Sequence, residues 1–176
     1  PGIYQSEFDQ LQTNGDFKLR GSFKGIYSDS LIPQFNVQMI VMDGYFKYPD
    51  FSESVNQIQM NLSVDFPGGN DLDLIKLNLE NFSLGFLNST LKTNIYASTL
   101  ISDPFLKGAL KSDINLSDIA QVIPVDEQEI SGEVFSNIII KGNLSSIEKE
   151  KYNEFKSLGH LTIDNLIYES DLIDYE

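Results

Sequence analysis

The sequence predicts a mainly β fold: a curved antiparallel sheet of many strands, groove-like or sandwich-like, with two short helices. Three observations carry this expectation. Apolar residues recur at every second position along most of the chain, which places them on one face of a strand. Turn residues such as Asn14-Gly15, Asp43-Gly44 and Pro67-Gly68-Gly69-Asn70 interrupt these runs at short intervals. The alternation also comes in copies. Gly108, Leu110, Ser112 and Ile114 form one, and Gly132, Val134, Ser136 and Ile138 form a second. Gly159, Leu161, Ile163, Asn165 and Ile167 give a third, weaker copy. The spacing is irregular, so this is not a strict solenoid.

Taken in order, residues 4–27 read as two strands joined at Asn14-Gly15, a pair that favours tight hairpins. A strand follows from Gln34 to about Met42, with Phe35, Val37, Met39 and Val41 on one face. Asp43-Gly44 reads as a turn, and Tyr45–Tyr48 resumes the extended chain until Pro49-Asp50. Val55–Phe66 is the clearest strand. Ile58, Met60, Leu62, Val64 and Phe66 point one way, and Gln57, Gln59, Asn61, Ser63 and Asp65 the other. That is a half-buried strand with one wet face.

Leu72–Glu80 is the return strand, with Ile75, Leu77 and Leu79 together. Phe82, Leu84 and Phe86 share the parity of the next segment, and Leu91, Thr93, Ile95 and Ala97 form another strand. Between the first two copies, Ser117–Ile123 reads as a brief helix that Pro124 ends. Ser145 to about Phe155 reads as the one longer helix, opened by a capping box of Ser145 and Glu148. A face this long must stack on another sheet, curl, receive a helix or hold something apolar.

At 176 residues the chain suits a single β-rich domain, 1–176, with a sizeable core. Hydrophobic residues make up 41%, which argues against a disordered chain. Lys and Arg total 12 against 26 Asp and Glu, for a net charge of −14. Such a chain repels phosphate backbones, so no nucleic-acid partner is expected, and anionic membrane surfaces are disfavoured. The absence of cysteine excludes disulfides and thiolate metal sites. No run reaches the ~18 apolar residues of a membrane helix. The chain opens on Pro1-Gly2 and stops at Tyr175-Glu176, just after an apparent strand. Those ends predict a segment of a longer protein, in which any membrane anchor would lie outside this chain.

No catalytic constellation stands out, and no enzyme, cofactor or metal is expected. His160, the one histidine, has no serine, cysteine or carboxylate pattern beside it. Asp71 and Asp73 after Gly68-Gly69-Asn70 resemble one copy of a glycine-rich calcium repeat, but a hairpin loop explains them better. Asp126, Glu127 and Glu129 lack an acid–base partner and read as an exposed loop. Asn61, Asn81, Asn88, Asn115 and Asn143 each open an Asn-x-Ser/Thr triplet, as chance produces in an Asn- and Ser-rich chain. The remaining candidates are the apolar stripes. Ile58, Met60, Leu62, Val64 and Phe66, with Leu110, Ile114, Val134 and Ile138, are either ordinary core or the lining of a groove for acyl chains. Both want a dry face, so patterning leaves the two readings open.

A set of short motifs in a fixed order resembles the AsmA family of Gram-negative envelope proteins. Asp103-Pro104 precedes Gly108 and Leu110, and Ile114-Asn115-Leu116 leads into the short helix. Ile130-x-Gly132-x-Val134 and Ile140-x-Gly142 with Asn143-Leu144-Ser145 follow. Upstream, Gly44 with Tyr48-Pro49-Asp50-Phe51 is similar to the glycine and Tyr-Pro-Asp turn of such proteins. Together these cover most of residues 35–168.

The resemblance implies a protein anchored in the inner membrane, projecting into the periplasm as a long curved sheet with an apolar channel. It is similar to bridge-like lipid-transfer proteins that carry phospholipid toward the outer membrane. It brings no catalytic residues and leaves room for other envelope proteins as partners. The main competing expectation is a cell-surface ligand-binding or adhesive β-sandwich with a closed core. An outer-membrane β-barrel would also alternate, but the charged Glu148-Lys149-Glu150-Lys151 segment and the many short turns oppose it.

Overall fold

The computed structural model describes residues 11–48, 53–120 and 128–170. They form one sheet of eight antiparallel strands in chain order. The strands are β1 (Gln12–Lys24), β2 (Gln34–Lys47), β3 (Val55–Phe66), β4 (Lys76–Phe86), β5 (Ser89–Ser98), β6 (Phe105–Asn115), β7 (Gln128–Asn143) and β8 (Lys156–Ser170). Each pairs with its sequence neighbours, and β1 and β8 are left as edges, so the sheet is open. Helix α1 (Leu116–Ala120) follows β6, and α2 (Leu144–Glu148) follows β7. No second sheet stacks on the first among the described residues.

Antiparallel partners put opposed side chains on the same face. The register therefore joins the sequence stripes into rows that cross the sheet. Leu19, Met39, Leu62, Leu79 and Ile95 form one row, which continues through Gly108 to Ile140. Val37, Val64, Leu77, Ala97 and Leu106 form the next. Phe23, Phe35 and Phe66 end the face in an aromatic row, with ring centroids 6.2 and 5.4 Å apart.

The apolar phase reverses inside four strands, and a bulge sits at each reversal. In β2 it passes from Val41 to Gly44, in β3 from Ile58 back to Val55, and in β4 from Leu79 to Phe82. In β8 it passes from Ile163 to Leu166. Each bulge holds one non-glycine residue at positive φ: Asp43, Gln57, Asn81 and Asn165. Asn and Asp tolerate that conformation better than most residues. The extra residue restores the side chains to their face, bends the strand and increases its twist. The bulges of β2, β3 and β4 lie side by side, and Gln59 Nε2 donates to Asp43 Oδ1 across them at 2.8 Å. The sheet curves along that line.

The structure departs from several sequence expectations. Asn14-Gly15 is not a hairpin. It lies inside β1, where Gly15 at φ 123° faces the β2 bulge with no room for a side chain beside the Gly44 backbone. Asp43-Gly44 is a bulge within β2 rather than a turn. Residues 76–86 are one strand, not two, and Leu72–Leu74 is a 3₁₀ turn outside it. Because of the bulge at Asn165, Ile167 does not share the face of Leu161 and Ile163; Leu166 and Tyr168 replace it.

The helix expected over Ser145–Phe155 ends at Glu148, and Ser145 is not its cap. Asn143 occupies the cap position with no side-chain cap bond, and the Asp103 carboxylate takes the Ser145 N–H instead. The brief helix before Pro124 is present as α1, starting one residue earlier than expected; Pro124 lies outside the described residues.

Gly108 is buried at the centre of the sheet, where an added Cβ would collide with the Asn94 carbonyl oxygen and press on Ile95. Gly108→Val should therefore cost about 3 kcal/mol, the upper end of usual overpacking penalties. Urea denaturation checks this; a loss below ~1 kcal/mol would show that the strands part there freely.

Candidate functional site

The nine residues singled out from the sequence all fall on one face. On β3, Ile58 to Phe66 stand in a line, and Leu62 connects through Leu79 and Ile95 to β6. Leu110 lies opposite Ile138, and Ile114 opposite Val134. Phe66 is fully buried, at 1% exposure, and most of the others are half-buried. Toward the edges the same face opens to solvent: Leu19 on β1 is 61% exposed, and Leu161 on β8 is 60%. The result is one apolar surface across eight strands, sheltered in the middle by its neighbours, with no second layer over it among the described residues. Monomeric soluble proteins seldom leave so large an apolar face unpartnered.

Polar clamps close both ends of β4–β7. At one end, Ser89 and Leu91 share the apolar face, and the Ser89 hydroxyl donates to Asp118 Oδ2 of α1 at 2.9 Å. The same carboxylate oxygen accepts the Asn88 N–H at 3.0 Å, and Ser89 Oγ accepts the Asn115 N–H. These bonds place α1 on the apolar side, at the end where β4 turns into β5. Asp118 is buried, and its hydrogen bonds make that burial tolerable. Beside it, Ser112 and Ser136 of the first two sequence copies face each other at 2.7 Å and are buried as a pair.

At the other end, Asp103 in the β5–β6 loop accepts from Ser145 Oγ at 2.8 Å and Ser145 N at 3.1 Å. Its backbone carbonyl accepts from Thr99 Oγ1 and Asn143 Nδ2. The same loop is held from the far side by Asp73, which accepts the Ile101 and Ser102 N–H groups at 2.9 and 3.0 Å. Hydrogen bonding from the Ser145 hydroxyl and N–H holds the Asp103 carboxyl below its ordinary value, and bonds from Ser102 and Ile101 do the same for Asp73. Gly142, opposite Leu106, has the Phe155 ring and backbone where a side chain would stand, so the chain entering β8 packs closely against β7 there.

Sequence reasoning did not find Asp103, Ser145 and Asp118 as clamps. Asp103 and Ser145 sit in the ordered Asp103-Pro104 and Asn143-Leu144-Ser145 motifs, which do not show that the two meet, and Asp118 sits in neither. Asp71 and Asp73 belong to a loop: Asp71 Oδ1 accepts the Asp73 N–H, and Asp73 reaches the β5–β6 loop. His160 is exposed on the opposite, polar face, across from Asn137. Asp126 and Glu127 lie outside the described residues, and Glu129 falls in β7 rather than a loop. Among the triplet asparagines, Asn61 Oδ1 accepts from Gln38 and Asn115 Oδ1 from the Ser117 N–H.

The polar face is not uniformly wet. Ala109, Ile139 and Leu158 form an apolar row across it, and Leu158 is 75% exposed. Among the described residues no group of three or more His, Cys, Asp or Glu side chains is placed to hold a metal ion, and no helix is long and apolar enough to cross a membrane. In comparisons with known proteins, no family model, curated protein or solved structure matches the chain.

The clamps predict acid sensitivity. The folded state lowers the Asp103 carboxyl below 3.8, so its contribution is present above that value and is lost as pH falls through the folded value. Asp103→Asn should lower the melting temperature at pH 7, and the difference from wild type should shrink below about pH 4. Melting curves between pH 2.5 and 7 test this. A difference that stays constant with pH would mean that the charge of Asp103 contributes nothing.

Proposed function

We propose that this chain is an AsmA-like domain that binds phospholipid acyl chains, or conducts them, along the apolar face of its sheet without chemistry. The observation that carries the reading is the continuous apolar face with no second layer over it among the described residues. A closed-core sandwich would cover such a face with side chains from a facing sheet. The family assignment rests on the ordered motifs between Gly44 and Ser145. Its setting, the periplasm within a longer protein anchored to the inner membrane, comes with that assignment. Other envelope proteins are natural partners on the same reading.

The energetics need little specificity. Each methylene moved from water onto an apolar wall gains about 0.8 kcal/mol. Eight strands at ~4.8 Å spacing give a surface ~34 Å wide, which offers many similar positions for a tail. Similar affinity at successive positions is what sliding requires, because a single deep site would hold its ligand. Met39 and Met60 stand opposite neighbours in this surface, and their unbranched side chains adapt to changing contacts.

Native mass spectrometry of the purified domain, with lipid extraction, tests the proposal. The domain should carry or take up phospholipid, and Met60→Asp/Leu62→Asp should abolish uptake while far-ultraviolet circular dichroism stays that of a β protein. A lipid-free mass that persists when phospholipid is added would refute the lipid reading.

A further inference from the structure

We propose that the opposite, polar face carries a second binding site, for a ligand bearing several oxyanionic groups in a line. The fold gathers there five of the chain's 12 basic residues, which are scattered from 92 to 156 in the sequence. Lys92 of β5 lies directly opposite Lys111 of β6. Lys107 of β6 lies opposite Lys141 of β7, which in turn lies opposite Lys156 of β8. All five are exposed, and among the described residues none of them forms an ion pair.

Like charges directly opposite one another on neighbouring strands destabilise a sheet. Three such pairings side by side are the reverse of what scatter would give in a chain with 26 acidic residues against 12 basic ones. An arrangement that costs stability and concentrates one sign of charge is characteristic of a site awaiting the opposite charge.

The surface shape coincides with the charge. Two open depressions, of about 490 and 650 Å³, lie side by side on this face and share Asn94 and Ala109. The first holds Lys92 and Lys111 together with Gln59, Ser83 and Asn137. The second holds Lys107 and Lys141 together with Asn78 and Tyr96. Each thus pairs two ammonium groups with neutral donors, the combination that suits phosphate-type oxygens. Glu80 also lines the second depression and accepts from Asn78 Nδ2 at 2.8 Å.

Lys107 and Lys111 are four residues apart on β6 and the two pairs sit one strand apart, so they are centred ~14 Å from one another. A single small anion would occupy one pair. A chain of phosphates, or a row of anionic lipid headgroups, would occupy both. This site lies on the other face from the acyl-chain surface, so it stands or falls independently of the lipid proposal.

The test uses the whole chain at low salt with two probes: inorganic polyphosphate, and vesicles of phosphatidylglycerol in phosphatidylcholine. Calorimetry should show polyphosphate binding that weakens steeply with added salt. Lys92→Gln/Lys111→Gln and Lys107→Gln/Lys141→Gln should each weaken it at least tenfold, and Lys149→Gln/Lys151→Gln, beyond α2, should leave it within twofold. Without ligand, the first two variants should melt at or above the wild-type temperature, because like-charge repulsion is relieved. Vesicle binding with the same lysine dependence and no response to polyphosphate would also support the site and assign its anions to lipid headgroups. Failure of both probes to bind, or equal weakening by the Lys149/Lys151 variant, would overturn the proposal.

Discussion

A β-strand turns every second side chain to the same side, and one inserted residue reverses the order. The rest of this structure depends on that constraint. Eight strands present a single apolar face only because each reversal of phase in the sequence coincides with a bulge in the backbone. Asp43, Gln57, Asn81 and Asn165 each absorb one residue at positive φ, and Val41 with Gly44, Ile58 with Val55, Leu79 with Phe82, and Ile163 with Leu166 stay on one side. Without the bulge at Asn81, Phe82, Leu84 and Phe86 would face the polar side, and the end of the sheet beside α1 would lose its apolar floor. The bulges also bend the sheet, so the device that keeps the face continuous curves it as well.

Among the described residues no facing sheet fixes the shape of this single layer, so its ends must be held by other means. Here three aspartates do it. Asp118 ties α1 to the β4–β5 turn, Asp103 ties the β5–β6 loop to α2, and Asp73 ties the same loop to the β3–β4 connection. Each spans at least 28 residues of sequence with bonds to backbone N–H groups, so a few carboxylates order segments that no core holds together. The middle of the apolar face is left clear of these clamps. Packing energy is concentrated where Phe66, Phe86 and Ala97 are buried, and the outer strands keep large apolar side chains in water.

The strand content and the apolar stripes were legible in the sequence because alternation at period two depends on the pleat alone. All nine stripe residues from Ile58 to Ile138 fall on one face, and Ser112 and Ser136 of the repeated pattern pair across neighbouring strands. The bulges were harder to read. A phase change with Asp-Gly inside it, as at Asp43-Gly44, has the composition of a turn, and only long-range pairing distinguishes the two. The phase change at Asn165 was hidden because Ile167 continues the wrong parity. Ser145 with Glu148 fitted a local capping box, but Asp103, 42 residues away, took the Ser145 N–H. Tertiary partners of that kind leave no local signal. The lysine rows were invisible for the same reason: Lys92, Lys107, Lys111, Lys141 and Lys156 become neighbours only through strand register.

On the proposed function, acyl chains bind the apolar face and leave the other face free. The three methionines report on both. Met39 and Met60 lie on the apolar face, and Met42, one residue beyond Val41 and before the β2 bulge, points the other way. Nuclear magnetic resonance of methyl-labelled methionines, with a fatty acid carrying a nitroxide near the end of its chain, reads them separately. Acyl-chain binding on the apolar face should strongly broaden the Met39 and Met60 methyl signals and leave Met42 little changed. Equal broadening at all three, broadening at Met42 alone, or none at saturating ligand would contradict it.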